Sequence, residues 1–193
     1  GAVLSYVKTH QKDAISSIKT LRAYSINEFM LIDQQTRRNL ELFAGGKWDT
    51  KQTSLFSVLD QTKTSMGSRM LKKWISQPLI DTKKICNRQN VINKLLINYI
   101  ETEKIVAILK GISDLERLST KLIRGNASPR DLLGISKSLK NSNEMKKILS
   151  EINNNSDIEW LLSKFKETEF ICDLIDSSIY DTAPIVPGDG RTI

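Results

Sequence analysis

The chain has 193 residues, 39% of them apolar, with only nine glycines and four prolines. That length allows one good-sized core, and so little punctuation favours long regular elements. No apolar run approaches the roughly 20 residues of a membrane span and no leader peptide opens the chain, so a soluble, intracellular setting is expected.

The two cysteines, Cys86 and Cys172, lie far apart in sequence and read as reduced thiols. His10 is the only histidine, which leaves little from which to assemble a histidine-rich zinc site or a Cys/His/Asp triad. The net charge of +7 is uneven. Residues 1–100 carry 16 Lys/Arg against 7 Asp/Glu, while residues 101–193 carry 13 against 15. Residues 62–94 hold eight bases and one acid, Asp81; residues 157–189 hold eight acids and two lysines. A basic stretch attracts phosphate backbones and an acidic one is repelled by them. Lysines filling solvated helix faces would give the same pattern.

Both ends read as cut. There is no initiator methionine, and Val3, Leu4 and Val7 begin inside a helical pattern. Residues 26–33 place Phe29, Met30, Leu31 and Ile32 in a row, which predicts a short buried segment, strand or extended, docked on a helical body. Asp33 is placed to cap a helix through QQTRRNLELF, with Leu40 and Phe43 facing inward and Gly45-Gly46 ending it. A polar loop follows.

Residues 54–79, SLFSVLDQTKTSMGSRMLKKWISQPL, are the most tightly patterned stretch and are expected to be the packing centre. Ser54 and Thr64 each cap a helix, and Met66, Met70, Leu71, Trp74 and Ile75 form one apolar stripe. Gly67 inside that helix predicts another backbone passing close by. Gln77-Pro78 ends it.

Asp81 opens the next helix and Asn98 caps the one after. Ser113 with Glu116 reads as a capping box, and Gly125 as a left-handed C-terminal residue. Ser128-Pro129-Arg130-Asp131 starts another helix, which Asn141-Ser142-Asn143 is expected to bend or break. A final helix is predicted from about Asp157, with a second part from Phe170 through Ile179. The expected fold is all-α, a multi-helical array with at most a short extended segment near residues 26–33.

No catalytic constellation stands out. AGGKW lacks the P-loop: Glu41 sits where its first glycine belongs, and Trp48 follows Lys47. Lys63, Arg69, Lys72, Lys73, Lys83, Lys84, Arg88 and Lys94 are candidates for a surface facing duplex-DNA phosphates. Stacking on single-stranded bases is poorly supported, because Trp74 is the only aromatic among them.

Three blocks resemble the MutS family of DNA mismatch-repair proteins, specifically its helical core. FMLIDQQTRRNLELF carries Thr36, Arg38, Asn39, Leu40 and Glu41. LDQTKTSMGSRMLKKWISQPL carries Asp60, Thr64, Gly67, Arg69, Trp74 and Pro78. DLERLSTKLIRGNASPRDL carries Asp114, Glu116, Arg117, Gly125, Pro129 and Asp131. Lys121 and Asn126 stand where the family often has arginine.

The resemblance implies a linker helix over 1–20 from a preceding connector domain and a helical core over 21–156. It implies the start of lever helices over 157–185 and a truncated entry to the clamp over 186–193. It further implies a structural, signal-transmitting core without an enzymatic site of its own, within a cytoplasmic ATPase using ATP and Mg. The parent's partners would be mismatched duplex DNA, a second MutS subunit and downstream repair proteins. Phe165-Lys166-Glu167 matches the family's mismatch-reading tripeptide only by chance. Two alternatives are an autonomous module binding the duplex-DNA backbone, and a helical adaptor with an exposed strip at Trp160, Leu161 and Phe165.

Overall fold

The computed structural model describes residues 28–43, 54–153 and 158–180, together with Ser5, Tyr6, Thr9 and His10, which are helical. Every regular element among these residues is a helix: α1 (Gln34–Asn39), α2 (Leu55–Leu59), α3 (Ser65–Ser76), α4 (Thr82–Ile97), α5 (Tyr99–Lys110), α6 (Leu115–Ile123), α7 (Pro129–Glu151), α8 (Glu159–Leu162) and α9 (Glu169–Ser178). The P-loop-like AGGKW, Val3, Leu4, Val7 and the segment after Tyr180 lie outside the described residues.

The short extended segment is present. Phe29 bridges Leu79 in antiparallel fashion, and the Met30 N–H donates to the Pro78 carbonyl at 2.8 Å. It is not buried as expected: Phe29 and Ile32 are half-covered, but Leu31 is 80% exposed. An isolated bridge covers one side of the segment only.

Asp33 caps α1 by accepting from the Thr36 N–H at 2.8 Å. The helix ends earlier than Gly45. Glu41 takes a left-handed backbone (φ 48°), its N–H donates to the Arg38 carbonyl, and the Leu42 N–H reaches the Arg37 carbonyl. This Schellman closure satisfies two orphan carbonyls at a conformational cost of about 1 kcal/mol for a non-glycine. The reversal points Leu42 inward and leaves Leu40 exposed, contrary to the helical expectation.

The core sits around α7, not around residues 54–79. Ile105, Ile148, Leu149, Ile152, Ile158 and Leu162 form one buried cluster drawn from α5, α7 and α8. Ile158 is fully enclosed; burying one such side chain contributes about 1.5–3 kcal/mol. No residue of α2 or α3 is buried, and Trp74 is 42% exposed. The Gly67 expectation is corrected too. A Cβ there would meet the Thr64 and Thr62 side chains at 3.0–3.6 Å, which belong to the turn that starts its own helix.

α7 runs unbroken for 23 residues, about 35 Å. Asn141-Ser142-Asn143 does not interrupt it. Polar side chains break helices when they bond to nearby backbone, whereas Asn143 accepts from Thr168 Oγ1 of the facing segment at 3.3 Å. Its start matches expectation: Ser128 and Asp131 form a reciprocal capping box with Pro129 in the first turn. Gly125, at φ 71°, closes α6.

Small residues let α9 approach α7 closely. Ser136 Oγ donates to Asp176 Oδ1 at 2.7 Å, Lys140 pairs with Asp176, and the buried Cys172 thiol lies 3.8 Å from the Ser136 carbonyl. The expected exposed strip is largely absent. Leu161 and Phe165 pack on the core cluster, and only Trp160 of the three stays exposed.

Candidate functional site: an arginine clasp and a basic face

Three carboxylates in the motif blocks serve as organisers of helix starts. Asp60 accepts from the Ser68 hydroxyl and from the Thr62 hydroxyl at 2.6 Å, folding the turn that delivers Thr64 to cap α3. These bonds, Ser68 first, hold the Asp60 carboxyl below its ordinary pKa. Asp131 is held low by the Ser128 N–H and then by Lys121. Lys121 Nζ lies 3.0 Å from Asp131 Oδ1, so lysine makes an ion pair at this position.

The third organiser, Asp114, joins two blocks. Ser113 does not cap α6; Asp114 does, accepting from the Arg117 N–H at 3.2 Å. The Ser113 N–H instead donates to the buried Ser138 hydroxyl at 3.0 Å. Asn98 likewise does not cap α5; its amide donates back to the Lys94 carbonyl at 2.8 Å and closes α4.

Arg69 of α3 reaches across to the start of α6. Its guanidinium donates to both Asp114 oxygens, at 2.9 Å and 2.8 Å, and its Nε donates to Glu116 Oε2 at 2.9 Å. Ser65 Oγ adds a bond to Asp114 at 2.9 Å. Glu116 therefore completes a clasp and not the expected capping box. The fork geometry of arginine matches a carboxylate bidentately, which lysine cannot do. Arg69 holds the Asp114 carboxyl well below the ordinary carboxylate range, and the two acids raise the Arg69 pKa in turn.

Three residues of the first motif block make local contacts as well. Thr36 donates its hydroxyl to Asp33 at 3.0 Å, Asn39 accepts from Gln35 at 3.0 Å, and Arg38 supplies a carbonyl to the α1 closure.

Of the eight predicted phosphate-facing residues Lys94 is half-covered, and the other seven separate into two groups. Arg69 is engaged by two acids, Lys84 pairs with Glu28 at 3.3 Å, Lys72 sits over the Phe43 ring, and Arg88 stacks 3.8 Å from the Trp74 centroid. Lys63, Lys73 and Lys83 are exposed. The Arg69 partners were the most recoverable from sequence, because an arginine in one motif block and two acids in another are complementary. The Ser136–Asp176–Lys140 seam carried no such signal.

Among the described residues no group of three or more His, Cys, Asp or Glu is placed to hold a metal ion, and no helix is long and apolar enough to cross a membrane.

The sequence profile of MutS domain III matches residues 35–193. A DNA mismatch repair protein MutS of Halothermothrix orenii is 36% identical over 193 residues, all of this chain and 21% of the relative. Proteins described in the same words from Caldicellulosiruptor saccharolyticus and Alkaliphilus oremlandii are 37% and 38% identical over 193 residues, each with 22% of its length matched. The chain thus spans about a fifth of the length of these curated relatives. With the second and third motif blocks and Thr36 to Glu41 of the first inside the matched span, the chain belongs to the MutS family, as its domain III.

Proposed function

We propose that this domain is a structural body that transmits conformational change between other parts of a MutS protein, with the Arg69 clasp as its joint. The observation that carries the reading is the contrast at that joint. The α7 core is closed by apolar burial, whereas α3 is tied to α6 by an exposed, charge-assisted contact. Such a contact opens at lower cost than a packed core, so two bodies can shift while each keeps its own packing. In this reading mismatched duplex DNA, a second MutS subunit, ATP and Mg are bound by other parts of the protein, and downstream repair proteins receive the signal.

The alternative of an autonomous module gripping the duplex-DNA backbone is less well supported. Arg69 and Lys84 are neutralised by acids of the same chain. The adaptor alternative loses Leu161 and Phe165 to the core.

The test uses a full-length MutS protein carrying this domain. Arg69→Ala should leave basal ATP hydrolysis and duplex binding near normal and weaken the dependence of hydrolysis on mismatched DNA. A coupling loss of about 1–3 kcal/mol is the usual range. Unchanged mismatch dependence would overturn the proposal.

A further inference from the structure

Phe29, Trp74 and Trp160 come from three distant parts of the sequence and line one open groove of about 390 Å³. Lys73, Lys84, Arg88 and Lys164 line the same groove, with the amides of Gln77 and Asn87, and no described carboxylate is among the lining residues. The sequence alone offered Trp74 as a lone aromatic beside the basic stretch. The tertiary fold supplies two more, because the extended segment pairs with Leu79 and α8 lies at the other wall.

Arg88 is the distinctive member. It is half-buried, and its guanidinium sits 3.8 Å from the Trp74 ring centroid. That ring is the one partner of its side chain among the described residues, and burial lowers its pKa. A stacked guanidinium keeps its N–H fork free for a planar or tetrahedral anion. Lys73 and Lys164 are exposed beside it.

We propose that this groove binds a short single-stranded nucleic-acid segment. Bases pack against the exposed indole of Trp160 and the neighbouring aromatic wall, while phosphates meet Arg88, Lys73 and Lys164. Stacking with backbone neutralisation is how single strands are held without sequence readout. Duplex DNA shows no base faces to stack, and phosphate contacts alone would not use the aromatic wall. An acidic protein segment fits less well, because lysine is depleted at protein–protein interface cores and three lysines line this groove. The inference goes beyond the coupling reading and does not use the Arg69 clasp.

The test titrates the 193-residue chain with fluorescein-labelled oligo-dT of about eight nucleotides, read by anisotropy. A duplex of the same length and unlabelled oligo-glutamate are the comparison ligands. The single strand should bind about tenfold or more tighter than the duplex. Its affinity should fall with salt at a log–log slope of about −2 to −3, as three or four neutralised phosphates require. Lys73→Glu combined with Lys164→Glu alters two exposed side chains, leaves helical circular dichroism unchanged, and should weaken binding about tenfold or more. Trp160→Leu should weaken binding without changing the salt slope, and Arg69→Ala should leave binding as it was. No binding at low salt would overturn the proposal. So would equal or tighter duplex binding, displacement by oligo-glutamate as readily as by unlabelled oligo-dT, or full affinity in the double lysine variant.

Discussion

Residues 54–80 and the cluster around Ile158 are both helical and both rich in apolar side chains, yet different forces hold them. In the first, Leu55, Val58, Leu59, Met70, Trp74 and Ile80 are all more than 40% exposed. What fixes that region is polar: the Asp60 turn, the Thr64 cap, the Phe29–Leu79 bridge and the Arg69 clasp. In the second, side chains from α5, α7 and α8 close over Ile158. Apolar burial is non-directional and contributes in proportion to area, so it makes one rigid body. Charged hydrogen bonds at the surface are directional and individually modest, so they set register without locking it.

Four changes test that contrast, beginning with the largest. Ile158→Ala removes the most enclosed side chain and should cost about 2–5 kcal/mol in urea unfolding. A loss as small as that of a surface substitution would remove α7 and α8 as the centre of the fold.

Ser138→Ala comes next. Ser138 is fully buried, accepts from the Ser113 N–H and donates to the Gly134 carbonyl at 2.7 Å. Stranding the Ser113 donor should cost about 1–3 kcal/mol, read in the same denaturant titration. An unchanged midpoint would show that this donor finds another partner.

Trp74→Ala should cost only about 1–2 kcal/mol, because the ring is partly solvated and its stacking on Arg88 is the main interaction lost. A loss matching that of Ile158→Ala would restore residues 54–79 as the packing centre.

The smallest effect concerns pH. The folded Asp114 carboxyl lies below its ordinary value of 3.8, so the folded state binds a proton there less readily than the unfolded state. The stability this provides is present above about pH 4 and is lost as pH falls further. Asp114→Asn keeps a capping oxygen but not the charge, so the decline of melting temperature below pH 4 should become shallower. It should not vanish, since Asp60, Asp131 and Asp176 are also held low, Asp176 chiefly by Lys140. A decline identical to that of the parent chain would remove Asp114 from the account of acid sensitivity.

Helix starts and stops were written locally. Asp33, Ser54, Thr64, Asp81, Ser128 and Gly125 all act where their side-chain chemistry or backbone freedom places them, because a cap needs only atoms within a few residues. The exceptions share one cause. Glu116 and Ser113 were expected to satisfy each other, but each has a partner from a distant helix, Arg69 and Ser138. Asn98 closed the helix behind it and Asn143 reached α9's leading edge, and neither choice is visible to a local rule.

The chain order of residues alone therefore determined the all-α class, most helix boundaries and the basic and acidic stretches. Those properties depend on backbone hydrogen bonding, caps and composition within a turn or two. Only the tertiary structure decided which apolar faces meet, and it chose α7 with α5 and α8 over the more sharply patterned α3. The reason is that amphipathicity states how strongly a face seeks cover, while the cover itself comes from residues far away in the chain. The same holds for charge. Arg69 and Arg88 look alike in sequence, yet one closes a clasp between helices and the other stands over an indole in an open groove.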